Sequence, residues 1–455
     1  MSGEAFFRKL PPQDRAISGQ SPDPARTEMP DANIRPILSL LLGVALLLAG
    51  AGLQITLLPL RASADGFGTF AIGTIGSFYY LGFVAGCVFG PYVILRAGHI
   101  RAFSALVAVA ASMALLHALI PLPAPWAMIR FVTGFCLAGF YLVIESWLND
   151  RSSNETRGKV MSAYVIVNFS ALAAGQMIVT AHPVEGATLF MIAAILSALA
   201  IVPVALTRSA QPAPITIVRF QPRVLWQAAP VALAGSFMVG LSLGAFWTLA
   251  PAAVELRGAD VAEVAAFMTA AVIAGALMQY PAGRLSDRID RRLVLLALLG
   301  GSTSTALALW LYGGAGWMLL ALAGLFGALA LPGYAIAAAH GYDRTQPEEM
   351  VATSATILLA NGLGAVAGPV IAATLMRGLG PGTLFLFVAV SQVLLAGFVI
   401  HRLRVQAPVA PAEKSEFDLA STAPVGAVVP TEELRPESPE VAVPESYVPA
   451  PRENG

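Results

Sequence analysis

The chain predicts an all-α membrane fold of twelve transmembrane helices in two pseudo-symmetric six-helix bundles. Three observations carry the expectation. The first is a duplication: Gly134, Tyr141, Asp150-Arg151, Asn168 and Gly175 return 193 positions later as Gly327, Tyr334, Asp343-Arg344, Asn361 and Gly368. At an offset of 192 the frame Gly52-x-x-x-Thr56-Leu57-x-Pro59 returns as Gly244-x-x-x-Thr248-Leu249-x-Pro251. The second is composition, because 57% hydrophobic and 12% charged residues in a 455-residue chain leave more apolar surface than a soluble core hides; mean hydropathy is +0.72. The third is a series of apolar runs of about 20 residues, the length a helix needs to cross the hydrocarbon layer.

Bounded by Pro or by charge, the spans of the first half fall at approximately 36–59, 71–94, 101–120, 125–149, 160–181 and 187–207. Those of the second fall at approximately 228–250, 262–283, 293–313, 317–340, 351–376 and 382–401. Short loops rich in Lys and Arg stay on the cytoplasmic side. Alternate loops carry Arg96 and Arg101; Arg151, Arg157 and Lys159; Arg208, Arg219 and Arg223; Arg284, Arg288, Arg291 and Arg292; and Arg344. The intervening loops hold only Arg61, Arg257 and Arg377, so both termini are expected in the cytoplasm and the chain in a bacterial inner membrane. The net charge of zero carries no implication of nucleic-acid binding, because the basic residues are accounted for by topology.

Residues 1–34 are polar and Pro-containing, without the apolar core and cleavage site of a signal peptide, and are expected to be a disordered cytoplasmic terminus before a first bundle over 35–208. Pro212, Pro214 and Pro222 mark a cytoplasmic linker over 209–227, and the second bundle follows over 228–404. From 405 to 455 the chain is rich in Pro, Ala, Val and Glu, which predicts a disordered acidic tail. Cys87 and Cys136 fall inside apolar helices and read as packing residues; no disulfide framework, metal cluster or cofactor motif is visible.

Gly283-Arg-Leu-Ser-Asp287-Arg288-Ile-Asp-Arg291-Arg292, between helices eight and nine, resembles the loop signature G-x-L-x-D-R-x-G-R-K/R of the major facilitator superfamily, with Asp290 where the family has Gly. The loop between helices two and three keeps the basic end in Arg96 and Arg101, but has Leu95 in place of the acid. Arg130-Phe-Val-Thr-Gly134 is similar to the R-x-x-x-G motif of drug and proton antiporters. Gly364-x-x-x-Gly368-Pro369 resembles the antiporter G-x-x-x-G-P motif but lies in helix eleven; helix five has Gly175-Gln176. Phe140 to Asn149, Gln279 to Arg288 and Ala339-His340 resemble the YcaD-type branch of bacterial facilitators, whose substrates are unassigned, while Gly341-Tyr342-Asp343 departs from the Asn-Asp ending of that branch. The resemblance implies alternating access, with helices one, four, seven and ten lining a central path.

The residues have their own physical reading. An acid at a helix junction accepts from free N–H groups at a neighbouring helix N-terminus, worth about 0.3–1 kcal/mol when exposed. Asp287, amid Arg288, Arg291 and Arg292, therefore reads as a cytoplasmic latch; by the family's pattern and pseudo-symmetry it should meet the start of helix five near Gly158 to Ser162. The plainer reading of the arginines is topology alone. Glu145, Asp150 and Asp343 are candidate gate partners for Arg96, Arg101, Arg288 and Arg292, with exposed ion pairs of little worth as the alternative.

Positions where the repeat changes chemistry mark a task the shared fold does not impose. Arg130 is matched by Ala323, Glu145 by Ala338 and Gln176 by Pro369. Turned inward, Arg130 costs about 2.5–3.5 kcal/mol on insertion scales, which an anionic substrate group or a proton-coupled network would offset; the alternatives are snorkelling or bonds to helix carbonyls. Arg130, Gly134, Tyr141 and Glu145 follow helical spacing down one side of helix four. Glu145 lies about 22 Å from Arg130 along the axis, too far to pair with it, and reads as gate or interface. Gln54, Trp247, Tyr334 and Gln176 are candidate pathway residues, whereas Asn168, Asn361, Gly364, Gly368 and Pro369 read as helix packing.

These readings converge on a non-enzymatic secondary transporter, expected to be a monomer in the lipid bilayer, that exports a small amphipathic or weakly anionic compound with protons as the candidate coupling ion. Without a G-x-x-x-x-G-K-S/T loop the sequence does not suggest an ATP-driven pump. Nutrient uptake or facilitated diffusion, and a transporter-like membrane sensor, are the competing expectations.

Overall fold

The computed structural model describes residues 34–152, 156–206, 220–409, 414 and 417. Among them are twelve helices long and apolar enough to cross a membrane. The first six are α1 (Ile37–Ala64), α2 (Thr69–Ala97), α3 (His99–Leu119), α4 (Pro123–Asp150), α5 (Gly158–Ala181) and α6 (Thr188–Ala205). The second six are α7 (Pro230–Glu255), α8 (Val261–Arg288), α9 (Arg291–Leu311), α10 (Trp317–Tyr342), α11 (Met350–Leu379) and α12 (Thr383–Val405). Each coincides with one expected span.

Local chemistry sets the boundaries. Pro123 and Pro230 open α4 and α7, where a missing N–H costs nothing. Asp260 opens α8 through a capping box with Glu263, and Asp290 caps α9 by accepting from the Arg292 N–H at 2.9 Å. At Gly98, φ is 82°, a conformation only glycine adopts readily, so α2 turns into α3 with a single intervening residue. Three spans are not uniform: α5 ends in a 3₁₀ turn at Ile178–Ala181, α6 is interrupted at Ala200, and α10 at Leu331 before Pro332. At the far end of the linker expected over 209–227, Pro222–Ala228 is helical and the Gln221 N–H donates to Thr356 Oγ1 at 2.9 Å.

The repeated glycines have a structural cause. A Cβ at Gly134 would stand 2.0 Å from the Tyr79 carbonyl oxygen, and one at its counterpart Gly327 would stand 2.0 Å from that of Ala271. Gly175 would meet the Ala49 oxygen at 2.1 Å, and Gly368 that of Leu241 at 2.0 Å. In each bundle the same two crossings, α4 on α2 with α5 on α1 and α10 on α8 with α11 on α7, bring backbones too close for any side chain.

The two ends of the molecule differ. At the arginine-poor end one apolar cluster crosses the bundles, running from Leu57 and Phe190 to Phe246 and Phe385. Ser63 Oγ donates to Glu255 at 2.7 Å, and Thr269 Oγ1 reaches the Ala173 carbonyl at 3.4 Å, both across the same divide. Toward the arginine-rich end there are distinct cores, one around Phe140 and Trp147, against which Leu358 of α11 also packs, and another around Leu295 and Ile336. The arginine-poor end keeps Arg61 and Arg257 for local reasons. Arg61 donates to the carbonyls of Val184, Glu185 and Gly186 and pairs with Asp65; Arg257 donates to those of Leu309, Trp310 and Tyr312, the unpaired acceptors at the end of α9.

Residues 1–33, most of the linker, and the tail beyond Val409 apart from Lys414 and Phe417 lie outside the described residues, as do the expectations made for them. The described part of the tail is not free. Gln406, Ala407, Lys414 and Phe417 all contact the second bundle.

Candidate functional site

Arg130 sits on the first turns of α4 with only 8% of its surface exposed, and its guanidinium lies 4.0 Å over the Tyr79 ring. Inward placement decides against snorkelling. Two adjoining cavities of about 170 and 150 Å³ share its side chain together with Gln54, Tyr79 and Leu172. The first lies between the bundles and adds Tyr80, Trp247 and Thr248; the second lies within the first bundle and reaches Thr133 and Tyr141. Among the described residues Arg130 has no acidic partner. Gln54, 5% exposed, has an Oε1 without a protein hydrogen bond.

The expected stripe along α4 therefore divides. Arg130 and Tyr141 face cavities, whereas Glu145 is fully buried and accepts from the Tyr164 hydroxyl of α5 at 2.8 Å. Its side chain turns into the bundle. Asn168, expected only in helix packing, stands within reach of both the Tyr141 and Tyr164 hydroxyls, which joins α4 and α5 through one polar cluster. Asn361 does pack helices, donating to the Ser236 carbonyl at 3.1 Å. Gly364 abuts the Phe237 carbonyl, and the Pro369 carbonyl lies against Gly73.

Gln176 and Tyr334 line neither cavity. Gln176 is fully buried with both amide atoms lacking a protein partner, and Tyr334 packs beside Ala338 and Tyr342. No residue of α10 lines either of these two cavities, which are built from α1, α2, α4, α5 and α7, with α3 and α6 added in the second. Tyr79 and Tyr80 were missed by sequence reasoning. An aromatic doublet on a Gly-rich helix was the available signal.

At the arginine-rich end Arg291 makes a two-point contact with Asp343, Nε to Oδ2 at 2.6 Å and Nη2 to Oδ1 at 3.1 Å, and both side chains are 1% exposed. Arg292 pairs with Asp290 at 2.7 Å. Burial pushes the Asp290 carboxyl up, but the hydrogen bonds and charge of Arg292 outweigh it and hold the group below its ordinary value. The expected pairing of Arg292 with Asp343 thus shifts by one residue, because Asp290, placed where the signature has Gly, is the nearer acid. Arg96, Arg101, Arg288 and Asp150 are exposed, and among the described residues none of them forms an ion pair. Asp287 does not take its bonds from the start of α5. It pairs with Arg291 at 3.3 Å and accepts from the Phe417 N–H at 3.1 Å, while Gly283 lies under the Phe417 ring.

Two six-helix bundles, with cavities around a buried arginine, form the architecture in which the comparisons place the chain. The Major Facilitator Superfamily family model matches residues 232–442. The chain is 28% identical over 368 residues to the uncharacterized MFS-type transporter YcaD of Escherichia coli O7:K1, covering 78% of this chain and 92% of that relative. Among solved structures, the nucleoside transporter NupG (D323A mutant) superposes with a TM-score of 0.70 at 14% identity, over 81% of this chain and all of that one. The human organic anion transporter MFSD10 gives 0.56 at 17% identity, over 80% and 99%; at such identities the likeness is one of fold. In sequence and fold the chain is thus similar to proteins of the major facilitator superfamily.

Proposed function

We propose that this protein is an alternating-access exporter of a small amphipathic or weakly anionic compound, coupled to protons, in the bacterial inner membrane. One observation carries the reading: Arg130 is buried beside cavities and has no acidic partner among the described residues. Stacking on Tyr79 contributes about 0.5–2 kcal/mol. That falls short of the roughly 2.5–3.5 kcal/mol that burying an arginine costs on insertion scales. An anionic group entering the cavity would close the difference, while Trp247, Tyr80 and Leu58 offer apolar surface for the rest of a ligand. Glu145, a buried carboxylate held by Tyr164, is a group able to exchange a proton.

In this reading the arginine-rich end faces the cytoplasm, where short basic loops are retained. Cross-bundle contacts at the opposite end support an inward-facing state, with Asp287 as the carboxylate of the cytoplasmic gate. Reconstituted protein tests the reading. Proteoliposomes should exchange an amphipathic weak acid in counterflow, faster under an opposing pH gradient, and exchange should vanish in Arg130→Ala protein that still inserts. Equal exchange by Arg130→Ala, or transport of neutral solutes alone, would overturn the anionic assignment.

A further inference from the structure

The cytoplasmic end of α8 carries a docking surface, and its occupant is the chain's own tail. Leaving α12, the backbone is held by two arginines: Arg292 Nη1 donates to the Gln406 carbonyl at 2.9 Å and Arg344 Nη2 to that of Ala407 at 2.6 Å. Further on, the Lys414 ammonium donates to the carbonyls of Ser286 at 3.3 Å and Ile289 at 2.5 Å. Those are acceptors at the C-terminal end of α8, where a cation also opposes the helix dipole. Three residues later the Phe417 ring covers Gly283, so closely that a Cβ there would stand 2.1 Å from the ring, and its N–H donates to Asp287 Oδ1. The ring joins the apolar cluster of the second bundle around Leu295 and Val399.

We infer that Lys414 and Phe417 form a regulatory contact that binds the Gly283–Asp287 face in the inward-facing state and must leave it for the cytoplasmic end to close. The inference rests on the gate reading of Asp287 in one respect. Phe417 supplies the backbone N–H that the start of α5 would otherwise offer this carboxylate, so Phe417 and helix compete for one acceptor. Gly283 leaves room for the ring, since any larger residue displaces it.

Two measurements on the full chain, with Cys87 and Cys136 replaced by Ala, test it. Oxidative cross-linking of Gly283→Cys to Phe417→Cys should be faster by about tenfold or more in membranes than in denaturing detergent, because docking raises local concentration above that of an unfolded chain. Equal rates would overturn the docking and leave the gate reading standing. The second measurement is maleimide labelling of Leu358→Cys from the arginine-rich side. Phe417→Pro, which removes both ring and N–H, should slow it by about threefold as the population moves toward the closed state, with Lys414→Ala having a smaller effect. Unchanged labelling overturns the regulatory role. In an Asp287→Asn background Phe417→Pro should add nothing; an undiminished effect there overturns the competition for Asp287. Asp287→Asn alone, labelled at an unchanged rate, sinks the gate reading while the cross-link continues to report docking.

Discussion

The two bundles share one scaffold and differ in what they bury. Both place glycines at the same helix crossings, with carbonyl oxygens 2.0–2.1 Å from where a Cβ would be. In its interior the first bundle holds Arg130, Glu145 and Gln176, where the second has Ala323, Ala338 and Pro369. The second concentrates its charge at one end, in the buried Arg291–Asp343 pair. Asp343 is the repeat partner of Asp150, which is exposed, and Arg291 that of His99, whose Nε2 lies 3.4 Å from Ser146 Oγ. Duplication thus preserved the close helix contacts and left polar groups to diverge, giving the first bundle an interior suited to a ligand and the second an ionic clasp.

The comparison is most sharply broken at the clasp. Asp343→Ala leaves Arg291 buried without its two-point acceptor and should destabilise the protein by about 3–5 kcal/mol. Asp150→Ala, on an exposed side chain, should change stability by less than about 0.5 kcal/mol. Thermal unfolding in detergent measures both, and equal losses would dissolve the distinction. Next comes Arg130→Ala. The matching Ala323 shows that this position tolerates a small side chain, so folding should persist while affinity for an anionic substrate falls by about tenfold to a hundredfold, the worth of one charged hydrogen bond. Arg130→Lys should recover part of that affinity if a point charge suffices, and none if the planar guanidinium is required.

Two smaller effects test the shared side. Gly175→Ala and Gly368→Ala should each cost about 1–3 kcal/mol by forcing helices apart; a large difference between them would show that the bundles are not packed alike. The smallest effect concerns Asp290, whose carboxyl is depressed in the folded state. Its contribution is fully present above the unfolded value of about 3.9, and is lost as pH falls through the lower folded value. Asp290→Asn should therefore lower stability at pH 7 by less than about 1 kcal/mol, and the difference from the parent should begin to shrink below about pH 4 and disappear only once the pH is below the lower folded value. A difference that persists in acid would assign the loss to the α9 cap rather than to charge.

Much of the architecture was legible because membranes impose simple rules. Span length, the repeat and the Pro-marked boundaries located all twelve helices. The orientation of side chains was harder. Glu145 was placed at the gate because sequence gives its height along α4 but not its azimuth, and a small rotation separates a loop arginine from the Tyr164 hydroxyl. Arg292 and Asp343 were matched by sign; the structure matched them by distance, and Asp290 was nearer. Tyr79 escaped notice because an aromatic in an apolar helix carries no chemical contrast until a guanidinium lies on its face. The Ser63–Glu255 contact escaped for another reason: neither residue is unusual alone, and only folding brings them together.

That contact has a historical consequence. Ser63 and Glu255 are 192 positions apart, the offset of the repeat at this point in each half, so each is the other's counterpart. Counterparts that touch lie beside the pseudo-two-fold axis. In an ancestor made of two identical halves, whichever residue stood here faced its own copy, and glutamate against glutamate would have repelled. The serine–glutamate pairing requires unlike halves, and it therefore dates from after the two copies had begun to diverge.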